Sequence, residues 1–431
     1  MKTMRYKKNI MTASLSAFLM LCGCNSDSDI PMSPTPVEPV DTLPEKSFVP
    51  ERMDSVNEAA FCMMRYINND GAKSAAGFLF SPLSVTAMLA FLTDNAADNI
   101  SQHLLQEMGL YGTAPNSACN FIRSTCSELE NADPSITCRF RNGLYANTHV
   151  GYEANTFNDT FTRSLSVDFS APDASAAINR HFKEGIWPDH FTDFFFDYEV
   201  TEDAPNALLN SLSFCAHWSK AFQIQKTRED VFHAGKNDVS IEMMEQNDSL
   251  PFSENERFKA VSIPFGKGRF LMTFILPTDV TEDAADNLIS QLNSKMWFDL
   301  LQSMKKEAVC VTLPKIQCYS HVLAFREGEP CDLCEKSVLT GNNYPGLFGN
   351  VGDKGPVVWF ARHRENITLN ESGFNPDSNN HPAEDASVME CDKSFTANHP
   401  FLYVVHDTLT KSILFLGKFM KYETGFPAKP N

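Results

Sequence analysis

The sequence predicts an α+β fold, with helices packed on one side of large sheets. Three observations carry this reading. Helical apolar periodicity dominates the first half of the chain, strand pairs joined by short turns cluster in the second half, and no βαβ alternation links the two. With 34 Phe among 431 residues there is ample material for a large core, and 43% hydrophobic with 21% charged residues is an ordinary globular profile that excludes a wholly disordered chain.

The N-terminus reads Met-Lys-Thr-Met-Arg-Tyr-Lys-Lys and then an apolar stretch from Ile10 to Leu21. A basic head before a short apolar run is the pattern of a secretory signal peptide over 1–23, too short to span a membrane. Leu21-Cys22-Gly23-Cys24 resembles a bacterial lipobox, which makes Cys24 the expected lipidation site; an ordinary signal peptide with incidental cysteines is the alternative. Residues 24–47 carry Pro31, Pro34, Pro36, Pro39 and Pro44 among polar residues, a composition that extends as a tether rather than forming a core. One folded domain is expected over 48–422, with a short tail over 423–431. On this reading the chain is exported, an outer-membrane or cell-surface lipoprotein of a Gram-negative-type bacterium, with the acidic Asp27 and Asp29 just after the anchor.

In the body, Val56, Ala60, Met63, Met64 and Ile67 share one helical face, so 50–68 is an amphipathic helix. Phe78 to Phe80 is a short apolar strand ending at Ser81-Pro82, and Leu83 to Leu92 is apolar nearly all round, a buried helix. Further helical patterns cover about 98–108, 117–130, 174–186 and 284–304. Ala207 to Phe214 reads as a strand. Ala260 to Phe265 and Arg269 to Leu276 flank Gly266-Lys267-Gly268, whose glycines suit a hairpin turn. Val309 to Leu313 precedes a Pro-Lys break, and Phe401 to Val405 with Ser412 to Lys418 form a C-terminal hairpin.

Charge and motifs exclude several functions. Lys+Arg 36 against Asp+Glu 54 leaves a net charge of −18, without the basic footprint that nucleic acid requires. Membrane contact is therefore expected only through a lipid anchor. No GxSxG elbow, HExxH helix, Walker loop or GxGxxG turn occurs, so no catalytic residue, metal site or cofactor is expected and the chain is read as not an enzyme. Cys331-Asp-Leu-Cys334 has metal or redox spacing but no second pair to complete a site. The ten cysteines beyond Cys24 are scattered through apolar stretches and are expected to be free or opportunistically paired.

Several stretches resemble the serpin family and occur in family order. They are Phe80-Ser81-Pro82-Leu83-Ser84, Leu165 to Phe169 with Ala177-Ile178-Asn179, Leu209-Asn210-Ser211-Leu212 through Trp218 and Phe222, Met243-Met244, Leu276-Pro277, Leu313-Pro314-Lys315, His399-Pro400-Phe401-Leu402 and Ser412 to Lys418. The resemblance implies one domain of three β-sheets and about eight or nine helices, with an exposed reactive-centre loop near the C-terminus. Inhibitory members offer that loop as bait to a serine or cysteine protease. Once cut, it inserts as a new strand in the main sheet and carries the acylated protease with it. Ser81, Ser84, Asn210 and His363 align with the polar shutter that controls sheet opening. Trp218 aligns with the breach where insertion begins.

The hinge aligns with Glu371-Ser372-Gly373-Phe374-Asn375-Pro376. Inhibitory members carry small residues after the glycine, because alternate side chains must enter the sheet interior. Phe374 is bulky there, and Pro376 lacks the N–H that a central strand donates. The bait bond is Ser387-Val388 counted from the hinge, or Met389-Glu390 counted back from His399-Pro400-Phe401; Ala386 to Glu390 brackets both. That window contains no Arg or Lys, so chymotrypsin- or elastase-like proteases are expected as partners rather than trypsin-like ones, with the chain acting as a monomer. A non-inhibitory binding or scaffold protein on the same fold is the alternative.

Overall fold

The computed structural model describes residues 50–69, 77–186, 193, 201–234, 237–326, 343–351, 355–376 and 390–420. The order of elements begins with α1 (Pro50–Asn68), β1 (Gly77–Phe80), α2 (Pro82–Asn95), α3 (Asp98–Glu107) and α4 (Pro115–Glu130). Next come β2 (Thr137–Asn147), β3 (Tyr152–Ala154), β4 (Thr162–Val167), α5 (Ala174–Lys183), β5 (Asn206–His217), β6 (Arg228–Ala234) and β7 (Asn237–Glu254). The chain continues through β8 (Phe258–Phe265), β9 (Phe270–Pro277), α6 (Ala284–Gln291), α7 (Ser294–Ser303), β10 (Lys305–Pro314) and β11 (Ile316–Arg326). It closes with β12 (Phe348–Val351), β13 (Phe360–Asn370), β14 (Gly373–Phe374), β15 (Lys393–Thr396), β16 (Phe401–Asp407) and β17 (Ile413–Phe419).

The segment from Leu83 to Leu92 does form the most buried helix. Pro82 opens α2 with a preset φ, and Ser81 caps it by accepting the Ser84 N–H, so the helix starts where the apolar strand β1 stops. Helix α2 packs between the two large sheets, against α4 and α3 and against β5, β2 and β17. Val56, Ala60, Met63, Met64 and Ile67 are all buried on α1, as the periodicity requires. The Gly266-Lys267-Gly268 turn joins β8 to β9, and Gly266 and Gly268 both have positive φ (51° and 87°), a region open to glycine at little strain.

The strands build three sheets. A nine-stranded sheet runs β1-β17-β16-β9-β8-β7-β10-β15, with β6 also paired to β7. A six-stranded sheet runs β11-β13-β14-β5-β2-β4, and β12 pairs with β3 in a separate ribbon. The main core lies between the large sheets and α2. On the outer face of the six-stranded sheet a smaller core joins Ile178 and Phe182 of α5 to Tyr145, Leu209 and Phe360.

The described residues contain seven α-helices. Two expectations about local structure change. The single helical pattern over 284–304 becomes α6 and α7, because the Asn293 side chain accepts the Met296 N–H and restarts the helix. The first half, expected to be dominated by helices, also holds strands beyond Phe78–Phe80, namely β2, β3 and β4. Strand β2 is hidden from a hydropathy reading because Arg139, Arg141 and Asn142 interrupt its apolar pattern, yet it is nearly all buried and pairs with β5 and β4.

Candidate functional site

The candidate site lies in the six-stranded sheet, along the seam between β5 and β13. At its lower end those strands are parallel neighbours, but only over Ala361–His363 against Leu208–Asn210. Beneath that contact the strand-to-helix junction of β1 and α2 supplies Ser81 and Ser84. The Ser81 N–H donates to His363 Nε2 (2.9 Å), and the Ser84 hydroxyl donates to Asn210 Oδ1 (3.1 Å). His363 Nδ1 lies 2.6 Å from the same Asn210 oxygen, while the Asn210 amide donates to Asn142 Oδ1 on β2 (2.8 Å) and to the Ser84 carbonyl (3.1 Å). With an N–H pointing at Nε2 and an acceptor at Nδ1, His363 is neutral and carries its proton on Nδ1. Burial lowers its pKa to about 3, in agreement with the neutral form. The fold thus brings together Ser81, Ser84, Asn210 and His363, and adds Asn142.

Above His363 the two strands separate. At the top of the seam Gly373 and Phe374 form β14, a two-residue stub antiparallel to both neighbours, with Gly373 opposite His217 and Phe374 opposite Ala216. Gly373 has φ +151°, and a Cβ there would lie 2.0 Å from the Ala216 carbonyl oxygen, so only glycine fits this close approach. The Phe374 ring is fully buried and meets Phe214 edge-on (5.3 Å), with Phe265 and Phe415 also in contact. Steric bulk is therefore no barrier at this first position. The expectation that Phe374 opposes entry into the sheet did not allow for an aromatic pocket lined by the chain's own phenylalanines.

The stub stops at Asn375, whose φ of 43° turns the chain out of the sheet in the left-handed region that asparagine tolerates better than most residues. Its backbone N–H donates to Thr368 O (2.7 Å). Its side chain accepts the Thr368 N–H (2.7 Å) and donates to Asn366 O (2.9 Å) on β13 and Phe214 O (3.3 Å) on β5. Midway down the seam Glu365 Oε1 accepts the Leu212 N–H (2.8 Å) and lies 3.5 Å from the Ser211 hydroxyl.

The turn that leads into the stub is fastened to the same end of the sheet. Trp218 stacks on Phe265 (4.3 Å), its indole N–H donates to Asn370 O, and its backbone N–H donates to Ser372 O (both 3.0 Å). The Glu371 carboxylate accepts the Thr227 hydroxyl (2.7 Å) and pairs with Lys315 (3.2 Å). Burial alone would raise the Glu371 pKa; the Thr227 hydroxyl and the Lys315 ammonium outweigh it and hold the carboxyl below its usual range. Trp218, Glu371 and Gly373 are thus gathered at one end of the seam, and Pro376, half-buried, follows the stub.

Of the bait window, Ala386, Ser387, Val388 and Met389 lie outside the described residues, and Glu390 is exposed. Cys24 and the Cys331–Cys334 pair also lie outside them. On the far side of the loop Cys391 forms a disulfide with Cys310 of β10 (Cα–Cα 5.5 Å). Asp392 N–H donates to Ala308 O (3.0 Å), and β15 runs parallel to β10 as the last strand of its sheet. The loop is anchored by an aromatic plug at one end and a covalent bond at the other. Scattered cysteines therefore include at least one specific pair, which a sequence separation of 81 conceals. Sequence reasoning also passed over Asn142 and Glu365, and placed Asn375 in the hinge without assigning it a role. A glutamate two residues after His363 in a buried strand was the one signal available for Glu365.

Comparison with known proteins places this architecture. The family model described as "Serpin (serine protease inhibitor)" matches residues 54–422. A serine protease inhibitor of Cyanea capillata is 24% identical over 354 residues, covering 78% of this chain and 90% of its own length. Human Serpin B3 is 25% identical over 399 residues, covering 85% and 99%. Among solved structures, human kallistatin superposes with TM-score 0.70 at 20% identity (87% of this chain, 99% of that one), and thyroxine-binding globulin in complex with thyroxine with TM-score 0.69 at 20% identity (86% and 100%). A family match over nearly the whole described body leads to one conclusion: this chain belongs to the serpin family.

Proposed function

We propose that the chain presents residues 377–390 as bait to serine or cysteine endopeptidases at the envelope of the cell that makes it. The observation that carries this reading is the seam itself. β5 and β13 pair directly over only three residues, above which the stub β14 lies between them and leads into the loop. A cut loop can extend that stub between them, the β-strand addition on which protease trapping depends. The role is that of an inhibitor, without catalysis of its own and without a cofactor or metal. Met389 before the cut suits a chymotrypsin- or elastase-like pocket.

Trapping on this reading is incomplete, and the ladder says why. Trp218 pairs with Ser372, so hydrogen-bonded pairs along β5 fall at every second residue: Ala216 with Phe374, then Phe214 with Pro376. Pro376 thus falls where an N–H is needed for Phe214 O and has none to give. This favours the second reading, a non-inhibitory serpin that is cut as a substrate or binds a partner, as the thyroxine-binding globulin of the same fold binds a ligand. The lipid on Cys24, the tether over 24–47, the monomeric state and a surface or outer-membrane location belong to the same proposal. The Cys310–Cys391 disulfide supports export, since such bonds persist in oxidising compartments.

Incubation with chymotrypsin, elastase and subtilisin should give a minor complex that survives SDS alongside a larger fraction of cleaved chain. Cleavage by all three with no complex at any ratio of protease to chain would favour the second reading.

A further inference from the structure

Several backbone groups along the seam between β5 and β13 already have side-chain partners. Extending the register of β14 puts residue 378 opposite Leu212 and residue 377 opposite Asn366. In a completed strand, the Leu212 N–H would go to the carbonyl of residue 378, and Asn366 O would take the N–H of residue 377. In the uncut molecule those partners are supplied by side chains. Glu365 Oε1 takes the Leu212 N–H. The Asn375 amide serves Asn366 O and also Phe214 O, the acceptor that Pro376 cannot satisfy. Its own oxygen takes the Thr368 N–H that the Asn375 carbonyl would otherwise receive.

We propose that Glu365 and Asn375 form a side-chain plug that occupies the hydrogen-bonding positions of the missing strand, and that a cut loop inserts only as this plug is evicted. The two are positioning residues. They touch no protease and act by setting how readily the sheet accepts residues 376–378. The inference rests on the loop-insertion reading for its consequence, while the plug itself is a property of the uncut chain.

The protonation of Glu365 follows from the geometry around it. Its Oε1 lies 3.3 Å from His363 Nε2, whose lone pair already receives the Ser81 N–H. A charged carboxylate facing that lone pair would be repelled, whereas a carboxylic acid is not. The groups around it are few. Among the described residues His363 is the titratable group in direct contact and stands on the same strand; β5 contributes the Ser211 hydroxyl and the Leu212 backbone. Helix α2 contributes Ser81 and Ser84 through His363 and Asn210. Strand β2 contributes Asn142 through Asn210, with Arg141 the charged residue beside it. Burial pushes the Glu365 carboxyl well above its ordinary range. A carboxyl raised in the folded state stabilises fully below its unfolded pKa, and that contribution is lost as pH rises toward the folded value. His363 acts in the opposite direction, losing its contribution as pH falls from about 6.5 toward about 3.

The first test uses the uncut full chain and no protease. Thermal unfolding of wild type and Glu365→Gln is compared at pH 5 and pH 8. Glutamine keeps the acceptor for Leu212 without needing a proton, so its midpoint should exceed that of wild type by about 3 °C or more at pH 8 and match it near pH 5. Parallel pH profiles for the two proteins would overturn the plug. The second test nicks the loop with subtilisin and follows the appearance of any heat-resistant form. Glu365→Ala and Asn375→Ala should each speed it several-fold over wild type. Unchanged rates would overturn the gating role. Failure of every variant, wild type included, to gain heat resistance would count against loop insertion itself, and the pH comparison on the uncut chain would still judge the plug.

Discussion

Phe374→Ala is expected to destabilise the uncut chain by about 3–5 kcal/mol, the usual range for truncating a buried aromatic. The ring is fully buried and meets three other phenylalanines, Phe214, Phe265 and Phe415, which come from β5, β8 and β17. Those strands belong to both large sheets, so the ring fastens the top of the seam to the core of the molecule. Alanine leaves a cavity that cannot collapse without moving all three strands. Urea unfolding followed by tryptophan fluorescence reads the effect, since Trp218 stacks on Phe265 beside the pocket. A loss below about 1 kcal/mol, within the range of ordinary surface substitutions, would show that the stub is only loosely held. The smaller Phe374→Thr change should act in the same direction. A hinge brought closer to the pattern of inhibitory serpins would in this chain weaken the resting state.

Removing the disulfide by Cys310→Ser with Cys391→Ser should cost about 4.5 kcal/mol in the chain-entropy account for a separation of 81 residues. The structural consequence is local. Strand β15 lies at the edge of its sheet and, among the described residues, pairs with β10, so without the covalent bond the distal end of the loop is held by that four-residue ladder, its flanking backbone bonds and the Lys393–Glu254 ion pair. Guanidinium unfolding with and without reductant provides the comparison. Wild type should lose stability on reduction down to the level of the double variant, and the variant should not respond. Equal stability of oxidised wild type and double variant would mean that the bond constrains nothing of consequence. After a cut before Cys391 the C-terminal fragment also remains covalently attached to the body through Cys310.

Much of the fold was legible in sequence because its strongest signals are local. The apolar run of α2 with its Ser81-Pro82 start, the glycine-flanked turn between β8 and β9 and the C-terminal hairpin each declare themselves within about twenty residues. Strand β2 did not, because the partners of Asn142 and the packing that shields Arg141 come from distant segments. The site followed the same division. Ser81, Ser84, Asn210 and His363 could be picked out by their resemblance to a family pattern. Glu365 and Asn375 could not, since each gains its meaning from the absence of a strand that would otherwise satisfy their partners. Phe374 was read for its size, and only the pocket formed by Phe214, Phe265 and Phe415 shows why that size fits.

The most direct measurement is the unfolding midpoint of the chain before and after a single cut between Pro376 and Cys391, with time allowed for relaxation. A sheet one strand short of completion predicts that the cut protein melts at a clearly higher temperature than the intact one. An identical or lower midpoint would mean that the seam between β5 and β13 stores nothing for the loop to release.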